Sequence, residues 1–254
     1  MKSLKLANFH IQMMLPSAMI YYMVFITIIT FLAASNSGSG QNFSSSGLEL
    51  STAIFLFVMG LNAFRENFNF SQANNLSRKT FWSGLLMSIL PIAFLMSIID
   101  LIINRIYNIF VPSPTNFDMI YGTYRDTGMF DWNAMQYIWV QNNSYFTLIS
   151  TVIWQFAVYV LFFILGVVIT MIYFRSSNLL KIIVSLTPVA LLVLLRNMIG
   201  LLPSTWIRGL GYFIPTAFGW HSRNPYMAIF TFLLLSLFLT GCFYILLRRA
   251  EAKE

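Results

Sequence analysis

The chain contains one cysteine, Cys242, so it can form neither an internal disulfide nor a cysteine-based metal site. It has two histidines, His10 and His221, and neither belongs to an H-E-x-x-H pattern. No G-x-x-x-x-G-K-[ST] occurs, so nothing here cradles the phosphates of ATP. Charge is scarce as well. Only 9% of residues are Asp, Glu, Lys or Arg, against about 25% in soluble domains. So little charge cannot clothe a water-facing surface of ordinary size.

What fills the 254 residues instead is apolar: 58% of them are hydrophobic and 17% aromatic. The hydropathy pattern predicts an all-α integral membrane protein, a single transmembrane domain with no separate soluble part. Six spans are expected at Met14–Ala34, Leu48–Phe64, Phe81–Asn104, Phe146–Phe174, Leu180–Leu202 and Tyr226–Leu247, each near the ~20 residues a helix needs to cross. The second is short. The first apolar run is long enough to span, and no A-x-A-like site follows it before Ser35, so it is not read as a secretory signal.

An even number of spans puts both termini on one side. That side holds Lys2, Lys5, Arg65, Arg78, Lys79, Arg175, Lys181, Arg248, Arg249 and Lys253; the other holds Arg105, Arg125, Arg208 and Arg223. Ten against four places both termini in the cytoplasm. The same bias accounts for most of the net charge of +7, so no nucleic-acid partner is implied. Arg196 alone falls deep inside a span, the fifth, where a guanidinium requires a protein partner or a wet cavity.

The connections differ in character. Ser35–Gly47 is a flexible serine-glycine linker. Arg105–Tyr145 is a long external stretch whose Trp132, Tyr137, Trp139 and Tyr145 suit a headgroup belt better than a ligand site. Pro203–Arg223 is apolar but broken by Gly209, Gly211, Pro215 and Gly219, which predicts a re-entrant element of short helices before the last span. Between spans 2 and 3 lies a segment too polar for lipid that nevertheless carries Phe64, Phe68 and Phe70. Phe64 and Phe68 share a helical face at i, i+4, and Ser77 can cap the following helix. The segment fits an interfacial helix on lipid headgroups or a docking element for a cytoplasmic partner.

The two-plus-four grouping of spans, the motif N-F-x-F…N-N-L-S-R-K-T-F from Asn67 to Phe81, the S-I-I-D at Ser97–Asp100 and the element before the last span together resemble permease subunits of type 2 ATP-binding-cassette exporters. They are most similar to small bacterial permeases such as those of phenol-soluble modulin peptide exporters. The resemblance covers nearly the whole chain in topology and is distinctive in residues only from Phe64 to Asp100. It implies a bacterial plasma-membrane protein that is not itself an enzyme and binds no cofactor. ATP and Mg would be bound by a separate ATPase, and the pathway would be completed by a second copy or a related permease. It also implies that Phe64, Arg65, Glu66, Asn67, Phe68, Asn69 and Phe70 form the short cytoplasmic coupling helix. Longer members carry a fuller elbow helix before span 1; only Lys2–Gln12 is available here.

Asp100 and Arg196 lie in spans of the same direction, nineteen residues past Phe81 and fifteen past Lys181, so their depths differ by roughly 6 Å. An intramembrane charge pair is expected, with Asn104 or Asn197 completing its hydrogen bonds, either as a static brace or as a gate. Gly60, Gly84 and Gly166 predict close helix approach, and Pro91 and Pro188 predict kinks. Tyr21, Tyr22, Phe25, Phe55, Phe57 and Met59 are the expected lining of a pathway for an amphipathic or hydrophobic substrate: a peptide toxin, an antimicrobial peptide or a lipid-like molecule. Two other readings remain open. Arg196-Asn-Met-Ile-Gly-Leu-Leu-Pro203 resembles subunit a of rotary ATP synthases, a proton channel, although the later spans hold no titratable relay beyond Arg196. The other is a non-transporting sensor or immunity protein.

Overall fold

The computed structural model describes residues 2–39, 46–122, 124, 130–131, 136–137, 139, 141–177, 180–187, 190 and 204–248. Its helices are α1 (Lys2–Ser39), α2 (Glu49–Asn62), α3 (Arg65–Ala73), α4 (Arg78–Tyr107), α5 (Asn116–Ile120), α6 (Tyr145–Arg175), α7 (Ser204–Ala217) and α8 (Pro225–Arg248), and residues 180–187 are helical too. A two-residue antiparallel pair, Phe130 with Tyr137 and Asp131 with Gln136, is the sole departure from an all-α fold among the described residues.

Four helices are long and apolar enough to cross a membrane: α1, α4, α6 and α8. The protein is membrane-embedded. The expected second span is a 14-residue helix, α2, and most of the expected fifth, with Pro188 and Arg196, lies outside the described residues. α1 absorbs the expected elbow. Lys2–Gln12 continues unbroken into the first span, because apolar residues keep helical spacing through the junction. Likewise Pro91 leaves α4 continuous, and Gly209, Gly211 and Pro215 all lie within one 14-residue helix, α7, in place of the broken short helices expected there. Ser77 does cap α4, its hydroxyl accepting from the Thr80 amide at 3.1 Å.

α6 is the hub. It packs against α2, α4 and α8, while α1 lies on α4. Without a hydrophobic drive between helices in lipid, closeness must come from small residues. A Cβ on Gly60 would stand 2.2 Å from the Phe163 carbonyl oxygen, and one on Gly166 would stand 2.3 Å from that of Phe57. Thr170 closes the same seam, donating to the Leu61 carbonyl at 2.6 Å. Gly84 lets Leu6 of α1 come within 3.0 Å of where its Cβ would be. All three glycines therefore lie at close approaches.

The bundle has two unlike ends. The α3 end is aromatic: Phe64 and Phe68 stack at 5.2 Å and meet Phe81 of α4 and Phe174 of α6 edge-on, with Phe243 of α8 against Phe64. The α5 end is polar and is described below. Gly60→Ala should lower the melting temperature of the purified chain by the equivalent of about 1–3 kcal/mol, since two backbones must part. Gly241→Ala in α8, where a Cβ would meet nothing within 4 Å, should leave it unchanged or slightly higher.

Candidate functional site

A carboxylate in a low-dielectric interior needs donors on every lone pair it exposes, or a counter-charge. Asp100, two turns from the end of α4, is 4% exposed. Its donors are tyrosines. Tyr22 of α1 gives its hydroxyl to Oδ1 at 2.8 Å, and Tyr159 of α6 gives its hydroxyl to Oδ2. Thr52 of α2 adjoins the same carboxylate and is bonded to Tyr21 at 2.8 Å. Four helices thus converge on one side chain. Arg196, the expected partner, lies outside the described residues, as does Asn197.

A second buried acid stands beside the first. Glu49, the first residue of α2, is 5% exposed. Oε1 accepts the Asn116 amide at the head of α5, and Oε2 has no partner among the described residues. The Tyr159 hydroxyl lies 3.5 Å from the Glu49 backbone carbonyl, so this one phenol spans both acidic residues. Sequence reasoning overlooked Glu49. The available signal was an acid placed directly after a flexible linker and at the head of an apolar run.

The remaining polar groups tie the α5 loop down. Thr115 and Asp118 form a reciprocal capping box, and Asp118 also receives Arg105 at 3.4 Å. Asn104 does not complete the bonds of Asp100, as was expected of it; it donates to the Ser113 carbonyl at 2.9 Å and accepts from Asn108 at 3.0 Å. One turn beyond Asp100, it faces the loop and not the bundle centre. Tyr121 bonds the Phe218 carbonyl at 2.7 Å, joining this loop to the turn after α7, and burial pushes its phenol up to about 12, so it remains a donor. Trp139 packs edge-on to Tyr124 at 5.7 Å, and Tyr145 is exposed; Trp132 lies outside the described residues.

The six residues expected along a pathway divide. Tyr22, Phe25 and Met59 are buried, while Tyr21, Phe55 and Phe57 are half-buried. Tyr21 stacks on Phe55 at 4.4 Å and on Phe25 at 5.6 Å, forming an aromatic seam between α1 and α2. Tyr22 also lines an apolar groove between α1 and α4 of about 330 Å³, which is continued past Ile26 by a further 470 Å³ that ends at Tyr107 and Phe110. At the head of α3 and within it, the structure turns Phe64 and Phe68 inward, both fully buried, because the aromatic cluster offers them more contact than solvent does. Asn67 is half-buried and bonds the Ala63 carbonyl at 2.8 Å; Arg65, Asn69 and Phe70 face out. The side chain of Glu66 lies outside the described residues.

Tyr159→Phe strips Asp100 of one donor without leaving a void and should cost about 1.5–3 kcal/mol of unfolding stability in detergent titration. Tyr21→Phe removes bonds to the exposed Ser51 hydroxyl and to the buried Thr52 hydroxyl, which still has Asp100 beside it, and should cost less, about 0.5–1.5 kcal/mol. Compared with protein families, with curated proteins and with solved structures, the chain matches none of them.

Proposed function

We propose that this chain is a membrane-spanning permease subunit of an ATP-binding-cassette exporter in a bacterial plasma membrane. It crosses six times with both termini in the cytoplasm and moves an amphipathic or hydrophobic substrate. A separate ATPase would bind ATP and Mg, and two permease subunits would enclose the pathway.

The observation that carries this reading is the mounting of α3. A short polar helix between two membrane helices would normally be a loose surface element, since it buries too little to hold itself. Here Phe64 and Phe68 clamp it into rings from α4, α6 and α8, and Phe70 stacks on Phe9 of α1 at 5.0 Å. A push on α3 is therefore felt by four helices at once. Its outward face presents Arg65, Asn69 and half of Phe70, groups suited to a protein groove. The apolar groove between α1 and α4 has the character needed for the hydrocarbon part of an amphiphile.

Arg65→Glu combined with Asn69→Ala should leave the melting temperature unchanged and abolish substrate-stimulated ATP hydrolysis by the reconstituted complex. Phe64→Ala should cost about 3–5 kcal/mol and abolish both folding at elevated temperature and coupling. Transport that survives intact in the double variant would sink the proposal. So would labelling from outside intact cells of a cysteine placed at Asn69 in a Cys242→Ser background.

A further inference from the structure

Glu49 and Asp100 pose a problem of charge. Both are more than nine-tenths buried and lie within electrostatic range of each other, spanned by Tyr159. The charged and titratable groups facing Glu49 among the described residues are Asp100 and Arg105 of α4, Asp118 of α5 and Tyr159 of α6, while the Tyr21–Tyr22 pair of α1 faces Asp100. Arg105 is the sole cation among the described ones, and its ion pair is with Asp118. Two negative charges would then remain within electrostatic range of each other, with no further cation facing Glu49 among the described residues.

The hydrogen bonds say which acid yields. Both oxygens of Asp100 already receive hydroxyl donors, an arrangement suited to the ionised form. Glu49 accepts the Asn116 amide on Oε1, while Oε2 is buried and has no partner among the described residues. A second buried polar group lies at the same end of the bundle. Gln155 is fully buried with both amide atoms unpartnered, and it shares one face of α6 with Tyr159, Gly166 and Thr170. Those three touch α2, at Glu49, at Phe57 and at Leu61 in turn. Gln155, one turn before Tyr159 on that face, lies past the first residue of α2, at the α5 end of the bundle.

We propose that Glu49 is a proton-binding site: Oε2 carries an exchangeable proton, which leaves as hydronium to water at the α5 end and returns by the same route. With the proton bound, the head of α2 closes against Tyr159 and Asp100. With it gone, two like charges stand within electrostatic range of each other and drive that head away from α4, while the Gly60–Gly166 contact holds the other end of α2 in place. α2 becomes a proton-operated lever, whatever the chain transports.

Infrared spectra of the intact chain in lipid nanodiscs, recorded from mildly acidic to alkaline pH, test this. The wild type should show the C=O stretch of a neutral, dehydrated carboxyl at neutral pH and lose it at alkaline pH. Glu49→Gln should lack it throughout, and Asp100→Asn should keep it under mildly acidic conditions. A wild type without the band at neutral pH overturns the proposal, as does a band that survives in Glu49→Gln and vanishes in Asp100→Asn. Melting temperature gives an independent reading. A folded state holding one more proton than the unfolded chain loses stability as pH rises, so the wild-type value should fall with pH and that slope should be lost in Glu49→Gln. A slope equal in both proteins, or absent from the wild type, overturns it.

Discussion

The carboxylate of Asp100, held by the hydroxyls of Tyr22 and Tyr159, is the constraint around which the bundle is arranged. Helices in lipid gain little from apolar contact with one another, because the tails they displace are equally apolar. A buried charge with protein donors changes that balance, since separating the helices would leave it unsatisfied in hydrocarbon. α1 illustrates the point. Most of its surface is exposed, and its packing is against α4, yet Tyr22 fixes its rotation and height by reaching the Asp100 carboxylate and the Met96 carbonyl on that helix. α6 is fixed in the same way from the other side by Tyr159, and α2 is drawn in through the Glu49 carbonyl and Thr52.

The two ends solve different problems with different chemistry. At the α3 end, rings from Phe64, Phe68, Phe81, Phe174 and Phe243 meet mostly edge to face, which is stiff but needs no polar partners. At the α5 end, backbone groups leaving the helices must be satisfied, and side chains do it: Asn104 and Asn108 on the Ser113 carbonyl, Thr115 with Asp118, Glu49 on the Asn116 amide. The aromatic end couples helices to a surface segment, and the polar end ties loops to a buried charge.

Much of the helical frame was legible, because long apolar runs have few other uses: α4, α6 and α8 begin and end within a few residues of the hydropathy limits. The Ser77 cap and the three close-approach glycines were legible for the same kind of reason, each residue type having a narrow physical role. The site was harder. Tyr22 and Tyr159 lie in apolar runs where a tyrosine reads as one more ring, and nothing in their spacing says that the hydroxyl, and not the ring, will matter. Glu49 looked like the edge of a linker until the α5 loop folded over it. The i, i+4 face of Phe64 and Phe68 was visible, but whether such a face turns toward a partner or back into its own bundle depends on Phe81, Phe174 and Phe243, which arrive from distant parts of the chain.

α2 has fourteen residues and therefore rises only about 21 Å, against a hydrocarbon thickness of about 30 Å. Leu50, Ile54 and Val58 point outward along its length, so in the proposed six-span arrangement lipid would meet it directly. Acyl chains beside it would then shorten or splay to match, leaving a dimple in the bilayer on that flank of the protein. Such a dimple would favour short-tailed or strongly curved lipid neighbours, and it would bring headgroup water closer to the middle of this bundle than a helix of ordinary length allows.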